Sequence, residues 1–331
     1  MHMNKEIVWG TSFSPEYSQY LGDRNPLETL KIVREKLNIQ DFRLGLRWNT
    51  VEQNGKVSLG YYEKYIDYLL KSNCNVCLNV GPIKVMRWPE EHIPSYIEVK
   101  RGAIVKKDSE LAKYAIEYFN KLLELIDRKY GQQINSTSKI SFQIENECFN
   151  RFGHKRLLMS DEYLLEIATI LHEYFPKNKL MMDSSARKDL RKLMHLFDLF
   201  VENKLYEWEQ LTLGINYYSM IPEISPFLKR IEALSFYLPW SMPLSRLKKI
   251  QERNHFDLEI SEAQFEPWGK MILPGNSLDE LKYVVKHGLK IFPESYTYRV
   301  IRLWGMEEFG LKMKEKKLTS EHKDIIKEFF C

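Results

Sequence analysis

Ile140-Ser-Phe-Gln-Ile-Glu-Asn-Glu147 is a short apolar run that closes on two glutamates separated by one residue. A second run of this kind, Asp257-Leu-Glu-Ile-Ser-Glu262, also ends on a glutamate. Apolar runs of four to eight residues bounded by polar positions are typical of buried β-strands. The two runs therefore predict strands whose last residues carry carboxylates out of the sheet.

Working outward, the chain alternates such runs with amphipathic segments. The predicted strands are Ile7–Trp9, Phe42–Leu46, Val76–Val80, Ile140–Ile144, Leu180–Asp183, Leu213–Tyr217, Leu258–Ser261 and Val300–Trp304. The predicted helices include Pro26–Leu37, Tyr61–Lys71, Glu110–Tyr130, Asp161–Phe175, Asp189–Phe200, Ser245–Asn254 and Leu278–Gly288. Strands that are apolar on both faces and alternate with helices predict a parallel sheet covered by helices. Eight such units favour an α/β fold of the (β/α)₈ TIM-barrel type.

The domain organisation follows from what the sequence lacks. No linker rich in Gly, Ser or Pro interrupts the 331 residues and no repeat is evident, so 1–331 is predicted to be one barrel domain. Two connections are longer than a minimal barrel needs: 81–109 after the third strand and 219–243 after the sixth. Aromatic residues between prolines in 234–243 exclude a continuous helix and predict an irregular lid over the pocket. A membrane-interface contact is the alternative for that segment.

Composition narrows the possible partners. The net charge of +4 is too small to indicate a nucleic-acid partner, and the charge run Leu311–Lys317 predicts a solvated helix face. Since the N-terminus has no apolar signal region and no run approaches 18 apolar residues, the expected location is the cytoplasm, without a membrane span. The sequence leaves the oligomeric state open.

Neither a metal nor a cofactor is predicted. Cys74 and Cys77 form a C-x-x-C pair within a predicted strand, where an offset of three puts the two side chains on opposite faces. The eight histidines are scattered over helices and loops, which argues against a metal-dependent hydrolase.

Polar residues at the strand ends indicate the site, because barrels carry their chemistry at the carboxyl ends of the strands. The second strand carries Arg43, and an arginine inside a barrel requires a carboxylate partner. The sixth strand ends in Asn216-Tyr-Tyr218 and the eighth in Trp304. With Glu147 and Glu262 at two other strand ends, the pattern fits retaining glycoside hydrolysis. There one carboxyl is the acid/base and the other the nucleophile, about 5–5.5 Å apart.

These residues resemble the clan A retaining glycoside hydrolases. Asn146-Glu147 resembles the clan's pair in which Glu is the acid/base and Asn binds the sugar 2-hydroxyl. Ile260-Ser-Glu262 is similar to the nucleophile motif of family 1 β-glycosidases. Arg43 and Tyr218 match positions that contact the nucleophile in that family, and Trp304 matches the tryptophan under the reacting sugar.

Within the clan, different motifs of this chain resemble different families. Gln143-Ile-Glu-Asn-Glu147 is similar to the acid/base segment of family 35 β-galactosidases, and Gly81-Pro82 with Trp88 resembles their third-strand loop. The Gln-x-Glu-Gly of family 1 after the first strand is absent, as is its His-Trp after the third. Since such positions grip the outer hydroxyls, the resemblance leaves the sugar open.

Further side chains are predicted to line or support the site. Gln264, Glu266 and Trp268 follow the nucleophile and would contact outer hydroxyls or stack on the sugar ring. Lys84, Arg87 and Trp88 in the loop after the third strand would bind hydroxyls or a carboxylate of the substrate, although surface ion pairs are favoured for the two basic residues. Glu145 is either a sugar ligand or the partner of Arg47, and the ion pair is favoured.

The predicted activity is thus a retaining β-glycosidase, exo-acting on a small β-glucoside or β-galactoside. The long loops after the third and sixth strands favour a closed pocket and hence exo action. An endo-β-glycanase and a transglycosylase of the same clan stay open. From another class, a non-catalytic carbohydrate-binding barrel is the alternative, although it has no use for both glutamates.

Overall fold

The computed structural model describes residues 6–87, 90–184, 189–217, 243–264, 278–296 and 298–330, with the backbone alone at residues 6, 264, 279, 280, 283, 284 and 298. In chain order the strands are β1 (Glu6–Phe13), β2 (Asp41–Gly45), β3 (Glu52–Gln53), β4 (Lys56–Val57), β5 (Asn75–Asn79), β6 (Ile104–Val105), β7 (Ile140–Gln143), β8 (Leu158–Met159), β9 (Lys179–Ser184), β10 (Leu211–Tyr217), β11 (Asp257–Gln264) and β12 (Tyr298–Trp304).

Eight of these strands form a closed barrel in the order β1-β12-β11-β10-β9-β7-β5-β2. The pairings β1·β12, β11·β12, β5·β7 and β7·β9 are all parallel. Every residue of β2 and of β10 is buried, as expected for strands with side chains packed on both faces. The predicted (β/α)₈ barrel and all eight predicted strands are confirmed.

Helices lie between the barrel strands. They are α1 (Pro15–Tyr20), α2 (Pro26–Lys36), α3 (Trp48–Val51), α4 (Gly60–Lys71), α5 (Glu110–Asn135), α6 (Asp161–Tyr174), α7 (Leu190–Glu202), α8 (Leu244–Asn254), α9 (Leu278–Gly288), α10 (Met306–Lys314) and α11 (Ser320–Ile325). Ser160 caps the start of α6, since its hydroxyl accepts from the Tyr163 amide at 3.3 Å. Short helical turns occupy Trp208–Gln210, Leu289–Ile291 and Ile326–Phe330.

The described part of the long connection after β5 contains β-structure. Residues 84 and 91 form an isolated antiparallel bridge, and β6 pairs with β8 from the connection after β7. The two connections are thus joined backbone to backbone on the side of the barrel where the carboxyl ends of β5 and β7 lie. Of the predicted loop 219–243, all but Pro243 lies outside the described residues.

The chain divides into two compact units. The first comprises Met1–Arg43, Gly214–Glu252 and Leu258–Cys331, and the second comprises Leu44–Leu213 and Arg253–Asp257. Each unit contributes its own group of site residues.

The charge run near the C-terminus is more firmly paired than a solvated face requires. The Lys314 ammonium lies 2.9 Å from Asp23 and 3.1 Å from Glu28. The Asp23 side chain is only 1% exposed, so this contact ties α10 to the start of α2. Lys317, whose side chain is 70% exposed, does face solvent as predicted.

The cysteines and the membrane expectation can be checked in part. Cys74, Cys77 and Cys148 are buried thiols, and Cys74 precedes β5 rather than lying in it. None of the helices in the described ranges is long and apolar enough to cross a bilayer.

Candidate active site

Glu147 lies in a sharp turn that follows the carboxyl end of β7. Glu145 and Glu147 both have left-handed backbones, with φ of 44° and 46°. This conformation is uncommon for residues with a Cβ and persists only where surrounding contacts enforce it. Two such contacts act on the backbone: the Asn146 amide donates to the Lys84 carbonyl at 2.8 Å, and the Glu147 amide donates to Asp183 at 2.8 Å.

The side chain of Glu145 stabilises this turn. Its buried carboxyl accepts from the Tyr163 hydroxyl at 2.7 Å, from the Ile83 amide at 3.2 Å and from the Lys84 amide. Burial raises the pKa of Glu145 to about 7, although these donors and the Lys84 charge act in the opposite direction. The predicted ion pair between Glu145 and Arg47 is therefore wrong. The left-handed turn aims Glu145 at the loop after β5 instead.

The loop after β5 closes over the turn. Asn79 connects the two segments, since its amide donates to the Gln143 carbonyl at 3.3 Å and its oxygen accepts from the Met86 amide at 2.8 Å. Lys84 reaches further, with its ammonium 3.0 Å from the Glu147 carbonyl and 2.9 Å from the Asn150 carbonyl. The side-chain amide of Asn150 donates to the Glu147 carboxylate at 3.3 Å.

A second buried carboxyl, Glu90, lies in the same environment. Burial raises the pKa of Glu90 well above its usual range, and the charges of Glu147, Asp183 and Glu91 raise it further while Lys84 lowers it. Its oxygen is 3.9 Å from the Lys84 ammonium. We call Glu147, Glu90, Asp183, Glu145 and Lys84 the Glu147 cluster, all within the second unit.

Glu262 belongs to the first unit and lies near the carboxyl end of β11. The guanidinium of Arg43 donates to its carboxylate, and both side chains are buried, at 0% and 7% exposure. Next to Glu262 the pairing of β11 with β12 shifts: Ile260 faces Ile301, whereas Ala263 faces Leu303. Three steps on β11 thus match two on β12, which is a β-bulge at Ser261 and Glu262.

The bulge explains why Glu262 meets Arg43. Strict alternation would place Glu262 on the same face as Ile260 and opposite to Ser261. A bulge puts two adjacent residues opposite one and re-aims the strand, so Ser261 and Glu262 both find polar partners. The Ser261 hydroxyl donates to Asn216 at 2.6 Å, and its carbonyl accepts from Ser12 at 3.3 Å.

A buried ion triad lies one layer further toward the amino ends of these strands. Arg302 donates to both Asp41 and Glu259. Burial raises the pKa of Glu259, against the charge of Arg302. Asp41 and Arg43 are two residues apart on β2, so their side chains lie on the same face of the strand. The triad and the Arg43–Glu262 pair therefore lie in successive layers inside the first unit. We call Arg43, Glu262, Ser261 and Asn216 the Glu262 cluster.

The residues predicted from the sequence fall into these two clusters in part. Glu147 and Asn146 are together, with the Asn146 oxygen accepting from Gln143 at 3.3 Å; Glu262 is with Arg43, and Asn216 is bonded to Ser261. Trp304 is the last residue of β12, in register with Ser12 and Gln264. Trp88, Tyr218, Glu266 and Trp268, and the side chain of Gln264, lie outside the described residues.

Sequence reasoning missed three contributors and misread two, Glu145 and Lys84. Asp183 was visible as a polar residue ending an apolar strand, but its bond to the Glu147 amide requires the β7·β9 pairing. Glu90 and Glu91 gave no local signal; Glu91 caps the amides of Lys155 and Leu157. Lys84 was expected near substrate or on the surface, yet it has no exposed surface and bonds to carbonyl groups of the protein.

The described residues include no group of three or more His, Cys, Asp or Glu side chains arranged to hold a metal ion. The two clusters described above consist of carboxylates and their hydrogen-bond donors.

Comparisons with known proteins identify the fold of the chain. No protein-family model and no curated protein matches the chain. Among solved structures, a GH5 family lichenase from Caldicellulosiruptor has a TM-score of 0.59 at 12% identity, covering 99% of this chain and 93% of that one. A GH10 xylanase from Thermobacillus composti has a TM-score of 0.53 at 10% identity, covering 91% and 85%.

An exo-β-1,4-mannosidase from an Opitutaceae bacterium has a TM-score of 0.56 at 12% identity, covering 90% of this chain and 52% of that one. This chain thus spans about half of the mannosidase's length. The likeness shows the barrel fold. Because the lichenase and the xylanase belong to families 5 and 10, the resemblances to families 1 and 35 stay predictions.

Proposed function

We propose that this chain is a retaining β-glycosidase of clan A, with Glu262 as nucleophile and Glu147 as acid/base. The observation that carries the proposal is the buried Arg43–Glu262 ion pair at the β11 bulge. A strand that bends to bring a carboxylate onto a buried guanidinium favours the ionised form of that carboxylate, which is the form a nucleophile requires.

The reaction would proceed in two displacements. First, the Glu262 carboxylate forms a bond to the anomeric carbon while the bond to the leaving oxygen breaks and Glu147 gives that oxygen its proton. Water then forms the new bond to the anomeric carbon as the Glu262 ester breaks, and the Glu147 carboxylate takes the proton of the water. The sugar leaves with its original configuration.

The environments of the two glutamates suit these roles. Arg43 favours the ionised form of Glu262, whereas Glu147 shares its surroundings with the carboxyls of Glu90 and Asp183, which disfavour a further negative charge. Both glutamates follow or end barrel strands, and the carboxyl ends of parallel barrel strands lie on one face. Asn146 would hydrogen-bond the 2-hydroxyl of the reacting sugar, and Trp304 would stack beneath it.

The substrate is the finer part of the proposal. We favour exo action on a small β-glucoside or β-galactoside, because the connections at 81–109 and 219–243 are long enough to close one end of a cleft. Endo action is the alternative, and the barrel is shared with proteins described as a lichenase and a xylanase as well as with an exo-mannosidase.

The test is an activity panel on wild type, Glu147→Ala and Glu262→Ala. The panel comprises nitrophenyl β-glycosides (glucoside, galactoside, mannoside, xyloside, fucoside and glucuronide) and soluble β-glucan, xylan and mannan. We expect activity on an aryl glycoside, lost by several orders of magnitude in both variants, with azide restoring turnover to Glu262→Ala alone. Activity on polymers alone would establish the endo alternative. Glu262→Ala with normal turnover would refute the nucleophile, and sugar binding without turnover would indicate a binding barrel.

A further inference from the structure

Lys84 is a lysine without exposed surface, enclosed in the Glu147 cluster. Its ammonium has three protons to donate, and three protein groups surround it: the carbonyls of Glu147 (3.0 Å) and Asn150 (2.9 Å) and, more distantly, the Glu90 carboxyl (3.9 Å). Fully buried lysines are rare unless paired. These partners occupy the ammonium, so Lys84 acts on the protein rather than on substrate.

The backbone of Lys84 is tied to the same turn. Its amide donates to the Glu145 carboxyl and its carbonyl accepts from the Asn146 amide at 2.8 Å. The main chain and the side chain of Lys84 together make four hydrogen bonds to the segment 145–150. The left-handed conformation of Glu147, and with it the direction of the Glu147 carboxyl, depends on these hydrogen bonds.

Lys84 also supplies positive charge where carboxyls collect. The titratable groups around it in the described structure include Glu90, Glu91, Glu145, Glu147, Asp183, Asp189 and the Cys148 thiol. Burial raises the pKa of Glu90, Glu145 and Cys148, and in each case the charge of Lys84 lowers it. One ammonium thus offsets several groups that would otherwise all resist ionisation.

We propose that Lys84 is a positioning residue for the acid/base: its ammonium fixes the Glu147 turn through two carbonyl groups and balances the buried carboxyls around it. The inference rests on the proposed role of Glu147. It assigns Lys84 an action on both the direction and the proton affinity of that carboxyl.

The expected effects follow from charge and geometry. In Lys84→Met, an ionised Glu147 loses the ammonium that is held at its own backbone carbonyl, so its carboxyl titrates at higher pH. The alkaline limb of the kcat/KM profile moves up by the same amount, because that limb reports loss of the acid's proton. The released turn lowers kcat by about tenfold or more, with KM little changed.

The experiment is a carboxyl ¹³C NMR titration of the full chain labelled at glutamate, with the Glu147 signal assigned through Glu147→Gln. Lys84→Met, Lys84→Arg and the double variant Lys84→Met/Glu90→Gln are compared with wild type. Lys107→Met, at an exposed lysine paired with Glu166, is the control and should titrate as wild type. The double variant removes both charges of the Lys84–Glu90 pair and protects against a folding failure of the single one.

Several outcomes would overturn the proposal. One is a folded Lys84→Met whose Glu147 titration matches wild type. Another is a folded double variant whose kcat matches wild type, because the contacts of the ammonium with the two carbonyl groups are lost there too. Should neither methionine variant fold, Lys84→Arg decides: it keeps the charge but misfits the two carbonyls, so the titration should stay in place while kcat falls. Wild-type kcat in Lys84→Arg would refute the positioning role. Since the titration needs no turnover, a moved titration in a protein without glycosidase activity would refute the proposed function alone.

Discussion

Arg43 and Glu262 illustrate at the residue scale how burial fixes a charge. Both side chains are buried, so neither can exchange its partner for water. Each charge is therefore stabilised by the presence of the other. Removing one partner leaves the other charge buried without this contact, whereas replacing both by neutral groups of similar size leaves neither charge.

We predict that Arg43→Met lowers the free energy of unfolding by about 3–5 kcal/mol and that kcat/KM falls by about 10²–10³-fold. Urea denaturation and steady-state kinetics measure the two quantities. The double variant Arg43→Met/Glu262→Gln should regain most of the stability and none of the activity. A single variant with wild-type stability and kcat/KM would show that the ion pair has neither role.

The buried carboxyl of Glu145 makes the stability of the folded protein depend on pH. Its pKa is raised from 4.5 to about 7 in the folded protein, mainly by burial. The unfolded chain therefore releases this proton at lower pH than the folded protein does. Between about pH 4.5 and 7 the folded state binds more protons at this site, and stability falls as pH rises.

We predict that Tyr163→Phe extends this interval to higher pH. The Tyr163 hydroxyl is one of the donors that favour the ionised form of Glu145, so its removal raises the pKa of Glu145 further. The unfolding free energy, measured at half-unit steps from pH 4.5 to 8.5, should continue to fall beyond pH 7 in the variant. The same plateau position in variant and wild type would contradict the assigned hydrogen bond.

At the scale of elements, the turn after β7 and the loop after β5 depend on one glycine. A Cβ added at Gly81 would collide with the Glu145 amide nitrogen and lie 2.7 Å from the Glu145 Cα. Both are backbone atoms, so the acid/base turn itself would have to move.

We predict that Gly81→Ala destabilises the protein by about 1–3 kcal/mol and lowers kcat/KM by about 10²-fold, because the turn that carries Glu147 is displaced. Gly60→Ala is the matched control: its Cβ would meet only the Ser58 hydroxyl at 3.3 Å, at the first residue of α4. If both variants behave alike, the close approach at Gly81 does not position the turn.

The elements also show what the sequence could and could not predict. All eight barrel strands were predictable, because strands buried on both faces appear as apolar runs. The first was predicted too short, since Gly10, Thr11 and Ser12 are polar or small yet buried in β1. Short pairs such as β6·β8 join distant segments and leave no local pattern.

The site residues, too, were predictable from the sequence only in part. Glu147 and Glu262 were predictable as carboxylates that close apolar runs, and Arg43 as a charged residue within a strand. Their orientations were not, because alternation fails at both carboxylates: β7 ends at Gln143 before the left-handed turn, and β11 bulges at Glu262. The roles of Lys84, Glu90 and Asp183 depend on loops from neighbouring strands, which only the folded chain brings together.

For the whole molecule, the barrel is shared with glycoside hydrolases at 10–12% identity, which shows the fold. The activity is argued from the chemistry of the two clusters. Their central consequence is a covalent bond between the sugar and one particular carboxylate, which neither an inverting enzyme nor a binding barrel would form.

The most direct measurement is mass spectrometry of the chain after incubation with activated 2-deoxy-2-fluoro-β-glycosides of the sugars in the activity panel, followed by peptide mapping. We predict that one sugar is added and that it is attached to Glu262. Glu147→Ala, which keeps the nucleophile, should carry the same label, and Glu262→Ala should carry none. A label on Glu147 or on another residue, or turnover of a panel substrate with inversion of the anomeric centre, would contradict the account.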